Sequence, residues 1–230
     1  MIQPFSRVVQ ILEGAASELM LELQARDARV DFTHADPPWP FGKAAPPKHG
    51  RMDGHYEGMT YEAIVDDLDN AYDLALDDTY LTVWCTFPHV FPFAFAWWKA
   101  GVRWEPLTGG TWGKPGRGIG FHMIGDSEPL FVFKKGNPRP RTAAKSNLWE
   151  IEPYWREQKR GHSEKPQAIL ADLLELSTRR GDLVLDLYAG ETASLARQCA
   201  LRRRGYVGAE IDRARCNKAR ELLEAVVDEA

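Results

Sequence analysis

The chain is predicted to be α/β, a doubly wound, mostly parallel sheet with helices on both faces. Three observations predict it. β-rich and amphipathic runs alternate almost from end to end; a long helical repeat sits between two strand-like runs; and two apolar runs end in an acid or a small-residue turn. Open sheets of this kind bind ligands beyond the carboxyl ends of their strands.

In order, Val8 to Glu13 reads as a strand and Ser17 to Ala25 as a helix. Arg29 to Ala35 is strand-like, with Val30 to Ala35 its core, and it runs into the tetrapeptide Asp36-Pro37-Pro38-Trp39. From Tyr61 to Leu76, residues Tyr61, Ile64, Val65, Leu68, Ala71, Tyr72 and Ala75 recur at helical spacing with aspartates on the other face. Tyr80 to Thr86 is a buried strand, and Val90 to Ala100 a helix closed by Gly101. Val102 to Leu107 and Leu130 to Lys134 are two further strands. Pro166 suits a first helical turn, with Ile169, Leu170, Leu173 and Leu174 as the buried face. Asp182 to Tyr188, Thr192 to Arg203, Tyr206 to Ile211 and Arg213 to Val227 then read as strand, helix, strand and helix. The Pro/Gly-rich stretches Pro37 to His55 and Gly109 to Gly125 are long loops, expected to flank the site.

The 230 residues suit one domain with a full core, and 44% hydrophobic with 27% charged residues is the balance of a globular protein. Val83 to Ala96, the longest apolar region, is broken by Pro88, His89 and Pro92 and is too short for a bilayer. With no leader-like N-terminus, the expected location is cytoplasmic, with no membrane partner. Cys85, Cys199 and Cys216 are odd in number and far apart, so no disulfide framework is expected, and the scattered histidines suggest no metal site. The net charge of −4 excludes an indiscriminate nucleic-acid coat, but its distribution is uneven. Met52 to Trp98 carries acids and no Lys or Arg, whereas Lys134, Lys135, Arg139, Arg141 and Lys145 form an acid-free stretch. Such a stretch fits a solvated loop or contact with a phosphate backbone.

A carboxylate, two ring-locked residues and a flat aromatic make Asp36-Pro37-Pro38-Trp39 a clamp for a planar amine. The run from Leu183 to Thr192 reads as strand, small-residue turn and helix start, with Asp186, Tyr188, Ala189, Gly190, Glu191 and Thr192 at the turn. Such a turn admits a ligand close to the backbone and offers unpaired amides. About twenty residues on, the next strand ends in Glu210 and Ile211, and its acid can accept both hydroxyls of a ribose. His162-Ser163-Glu164-Lys165-Pro166 precedes the helix into the donor strand, and Lys165 can neutralise a carboxylate of the ligand. A full GxGxxG pattern is missing, so S-adenosylmethionine fits better than NAD, though an NAD-type oxidoreductase is the competing enzyme class.

DPPW, HSEKP, LDLYAGET and GYVGAEID, in that order, resemble the amino-methyltransferases of the permuted β class, over nearly the whole chain. The central part, with Trp84-Cys85-Thr86, Trp112-Gly113-Lys114 and Glu128-Pro129-Leu130, also resembles the catalytic subunits of messenger-RNA adenosine methyltransferases and their bacterial and phage relatives. The sequence departs from the class where Glu191-Thr192-Ala193 stands in place of a second glycine, and Glu13-Gly14-Ala15 lacks a common aspartate.

The resemblance implies a Rossmann-like methyltransferase sheet in circularly permuted order. It divides the one domain, 1–230, into a catalytic half (1–135), a short basic target-recognition segment (134–161) and a donor-binding half (162–230). It implies S-adenosylmethionine as cofactor, bound by Asp36, Ser163, Lys165, Asp186, Tyr188, Ala189, Gly190, Glu191, Thr192, Glu210 and Ile211. It implies methyl transfer to the exocyclic amine of adenine in DNA, the leading aspartate favouring adenine. Cytosine N4, an RNA adenosine, or a catalytically silent nucleic-acid-binding subunit are the alternatives. In the implied chemistry Asp36 accepts one amine N–H and the Pro37 carbonyl the other, Pro38 stiffens the clamp, and Trp39 stacks on the base. Lys134, Lys135, Arg139, Arg141 and Lys145 would hold the nucleic acid, and the protein would act as a monomer or homodimer.

Overall fold

The computed structural model describes residues 8–40, 58–115, 122–152 and 164–227. Their strands join in one eight-stranded sheet: β1 (Val9–Glu13), β2 (Val30–Ala35), β3 (Ala75–Trp84), β4 (Glu105–Gly113), β5 (Ser127–Lys135), β6 (Leu148–Glu150), β7 (Leu183–Asp186) and β8 (Gly205–Glu210). The spatial order is β1-β8-β7-β2-β3-β5-β4-β6. Every neighbouring pair is parallel except the two that β5 makes, with β3 and with β4.

Helices cover both faces, as the alternation predicts. On one face α1 (Ala16–Ala25), α2 (Tyr61–Leu74) and α3 (Phe87–Ala100) pack Leu19, Leu23, Ile64, Leu68, Phe93 and Trp97 against Leu81, Leu185 and Val207. On the other, α4 (Gln167–Ser177), α5 (Ser194–Leu201) and α6 (Arg213–Val227) pack Ile169, Leu174, Leu195 and Cys199 against Phe32, Val184 and Tyr206. Val184 and Leu185, adjacent in β7, thus serve opposite cores, as a strand buried on both faces requires.

Boundaries depart from expectation in three places. α2 stops at Leu74 and β3 starts at once, because Ala75 is already extended and pairs with Val30. The Lys135 ammonium donates to the carbonyls of Tyr72 (3.1 Å) and Ala75 (2.8 Å), satisfying acceptors that the helix end leaves open. β4 lies later than expected and runs through Gly109 and Gly110, whose missing side chains let Leu130 and Trp149 approach. The short β6 follows from that approach, since it pairs with Thr111 to Gly113. After β5 the chain turns at Gly136, whose φ of 67° and contact with the Asp77 carbonyl admit no Cβ. Among the described residues, no helix is long and apolar enough to cross a membrane.

Candidate active site

β2, β7 and β8 lie side by side and parallel, so their carboxyl ends reach the same sheet edge. That edge carries three acids: Asp36 just past β2, Asp186 ending β7 and Glu210 ending β8. They line one cavity of about 880 Å³, together with Pro37, Pro38, Trp39, Lys165, Tyr188, Ala189, Gly190, Glu191, Thr192 and Ile211. The clamp and the turn, some 150 residues apart in sequence, therefore face each other. Ser163 lies outside the described residues, as do His162 and most of the loop from Pro37 to His55.

The turn after β7 is held from three sides. The Ala189 amide donates to the Ala209 carbonyl (2.8 Å), the Tyr188 hydroxyl to Asp67 of α2 (3.0 Å), and Lys218 of α6 pairs with Glu191 (3.0 Å). Gly190 is left-handed, with φ of 66°, and so is Ala193, with φ of 49°. For an alanine that left-handed conformation costs about 1–2 kcal/mol.

Asp186 accepts from the Tyr206 hydroxyl (2.9 Å) and the Tyr188 amide (3.3 Å), yet burial pushes its carboxyl up to about 7. Glu210 is likewise raised by burial, while the Asp212 amide (2.9 Å) opposes the shift. An acid-lined pocket thus favours a ligand that brings hydroxyls or positive charge.

Around Asp36 the structure shows more than a clamp. The Lys165 ammonium donates to Asp36 at 2.6 Å and lies 3.5 Å from Glu128, which in turn pairs with Lys114. The two cations rest on indoles, Lys165 over Trp84 at 5.4 Å and Lys114 over Trp112 at 4.4 Å. Two carboxylates and two ammoniums leave this half-buried chain of charges neutral. Burial raises Asp36, with Lys165 opposing; burial also works against the charges of Glu128 and Lys165, but their opposite-sign partners win and keep both ionised. His34, below Asp36, bonds Thr82 (2.8 Å) and is pushed down to about 3 by burial and then by Lys165, so it stays neutral. Burial lifts the Cys85 thiol up to about 12, which excludes a thiolate nucleophile in the cavity.

Two residues expected at the site line the cavity and also have partners within the protein. The Lys165 ammonium contacts Asp36 and Glu128, because Pro166 starts α4 right beside the end of β2. Trp39 does not offer an open face. It is 3% exposed, stacked on His89 (5.4 Å between centroids) and met edge-on by Phe93 (5.2 Å), because the proline pair turns it into the α2–α3 core.

The basic stretch does not line this cavity. β5 runs against its neighbours, so Glu128 at its start joins the cavity while Lys134 and Lys135 at its end emerge on the opposite sheet edge. Lys134 pairs there with Glu105 (3.1 Å), Lys135 closes α2, and Lys145 pairs with Asp172 (3.1 Å). Arg139 and Arg141 line a separate groove on that edge. Sequence reasoning assigned no role to Glu128 and Lys114, one base just past the end of β4 and one acid at the start of β5, which that pairing brings together.

A family model for N6 and N4 methyltransferases, described as DNA methylase, matches residues 30–221. Among solved structures, the M1.HpyAVI–SAM complex is similar with a TM-score of 0.71 at 17% identity, covering 93% of this chain and 98% of that one. A putative DNA modification methylase from Thermus thermophilus gives 0.63 at 20% identity, over 95% of each chain. PvuII DNA methyltransferase, cytosine-N4-specific, gives 0.65 at 12% identity, over 96% of this chain and 93% of that one. At such identities the likeness is one of fold. No curated protein matches the chain.

Proposed function

The chain belongs to the DNA methylase family whose model spans most of its length, and from that premise we propose that it transfers a methyl group from S-adenosylmethionine to the exocyclic amine of a DNA base. The fold is the circularly permuted, Rossmann-like methyltransferase fold, with β2 and its Asp36 preceding the donor strands β7 and β8 in the chain. The observation that carries the proposal is the shared cavity: Asp36-Pro37-Pro38 on one wall and the turn from Asp186 to Thr192 with Glu210 on the other.

The residues fit this cofactor. Glu210 is positioned to accept ribose hydroxyls, Ile211, 75% exposed at the rim, offers apolar surface to a purine, and Asp186 and Asp67 suit a cationic ligand. Bound there, S-adenosylmethionine supplies a methyl group made electrophilic by its sulfonium.

The chain's own contribution is positioning and polarity. Asp36 accepts one N–H of the amine. The Pro38 carbonyl is taken by the Met59 amide (2.8 Å), whereas among the described residues none donates to the Pro37 carbonyl, which can accept the second N–H. Both bonds turn the nitrogen lone pair out of conjugation with the ring and toward the methyl. Lys165, with Lys114 behind it, favours the accepting, charged form of Asp36 against burial and the nearby Glu128. On duplex DNA the base must leave the stack to reach this depth.

For the base, Asp36 at the head of the tetrapeptide suggests adenine N6, but the relative whose name states a target, PvuII DNA methyltransferase, is cytosine-N4-specific. That comparison favours cytosine N4, and either amine presents the same two N–H groups to the clamp. Incubation with labelled S-adenosylmethionine and DNA, followed by nucleoside identification, is expected to yield N4-methylcytosine or N6-methyladenine. Donor binding with no methylated base in DNA would sink the proposal.

A further inference from the structure

On the sheet edge opposite the cavity lies a groove of about 550 Å³ that the proposed reaction does not use. Arg139, Arg141, Arg179, Arg180 and Arg204 line it. Two chain segments build it, one leaving β5 and one entering β7. Both meet there because β5 descends while β7 and β8 ascend.

The groove is fixed rather than a chance gathering of surface arginines. The Tyr80 hydroxyl donates to the Pro138 carbonyl (3.0 Å), the Asn137 amide to Asp78 (2.8 Å) and the Arg141 amide to the Leu176 carbonyl (2.8 Å). At its floor Arg204 is 9% exposed and is held through Thr178 (3.0 Å to the hydroxyl, 3.2 Å to the carbonyl) and the Arg202 carbonyl (2.8 Å). All those partners are neutral. Among the described residues, none of the five arginines forms an ion pair with a carboxylate, and the one lining acid, Glu175, is shared by Arg202 (3.5 Å) and Lys145 (3.7 Å). Asp31, Asp182 and Glu175 lie close enough to act on Arg141 or Arg204 electrostatically, but five arginines against these acids leave the groove locally positive in a chain of net charge −4. Planar guanidinium forks are the side chains best matched to phosphate oxygens.

We propose that this groove binds the phosphodiester backbone of DNA, as a second anchoring point remote from the base being modified. The proposal rests on the chain's acting on DNA. The four exposed guanidinia are carried by two segments along an open groove, which suits successive phosphates of a polymer. β8 spans six residues between the edges, about 20 Å at about 3.3 Å per residue. The groove therefore takes a stretch of DNA other than the one at the catalytic edge, and longer duplexes gain more from it.

The test compares the protein with an Arg179→Ala/Arg180→Ala variant. DNA affinity is measured by fluorescence anisotropy against salt, on a duplex several helical turns long. Calorimetry with S-adenosylhomocysteine reports an intact fold, and calorimetry with inorganic pyrophosphate probes a small anion. The expected result is an affinity loss of about tenfold and a salt slope reduced by about 0.9 for each phosphate no longer neutralised, with the homocysteine analogue bound as before. Unchanged affinity and slope overturn the proposal. So does pyrophosphate binding that the variant abolishes while DNA binding stays intact, since the groove would then serve a free phosphate. If the unaltered protein itself binds no DNA, it is the proposed function that fails; if it binds DNA and the variant does so equally, only the groove does.

Discussion

Asp36 shares its buried surroundings with Lys165, Glu128 and Lys114, and each replacement in this chain of charges has its own signature. Asp36→Asn keeps the shape but loses the charged acceptor, so donor binding by calorimetry should persist while methyl transfer falls by about 10²-fold or more. Lys165→Ala strands two buried carboxylates. It should cost about 3–5 kcal/mol in chemical denaturation as well as turnover, a stability loss that a lysine serving only a ligand carboxylate would not show. Because burial raises Asp36, activity should fail on acidification above the ordinary carboxylate value of 3.8, and a kcat/KM profile flat down to that pH would count against the assignment. Asp186 gives the opposite dependence for stability. Its carboxyl, pushed up to about 7 by burial, holds a proton in the folded state that the unfolded chain has released by then. The resulting stability is complete below the unfolded pKa and is lost between about pH 4 and 7, by up to about 1.4 kcal/mol per pH unit. The melting temperature of the protein relative to Asp186→Asn should therefore fall across that window; a constant difference would reject this.

At the level of elements, β8 ties the sheet to the donor site through a single spacing. Tyr206 and Gly208 point the same way, and a Cβ at Gly208 would strike the hydroxyl that Tyr206 gives to Asp186. Gly208→Ala is expected to keep the strand but push Tyr206 off Asp186, weakening donor affinity about tenfold through the broken buried hydrogen bond; wild-type affinity in calorimetry would refute this link. Elements with strong periods were legible in sequence: α2, with its apolar stripe, and β7 and β8, with their unbroken apolar runs, lie within a few residues of expectation. Legible too were the acids at strand ends, since a parallel sheet sends them all to one edge. What sequence could not show is pairing. The reversal of β5, the three-residue β6 and the inward turn of Trp39 depend on contacts between segments far apart in the chain, for which local propensity carries no signal.

At the scale of the whole molecule, one reversed strand divides the labour of two sheet edges. It delivers Glu128 to the catalytic cavity and leads the chain on to the groove that Arg139 and Arg141 line on the other edge. The pairing of β1 with β8 has a further consequence, in time rather than space. Val9 lies beside Tyr206 and Glu13 beside Glu210, and among the described residues β1 has no other strand neighbour. On the ribosome, the first strand made must therefore wait for almost the last, and closing so long a loop makes late, slow completion of this sheet edge the expected course. A nascent chain stalled before Gly205 would leave β1 unpaired and one side of β7 open. Pulse proteolysis should find the α1 region cleavable until synthesis has passed β8, and resistant immediately after.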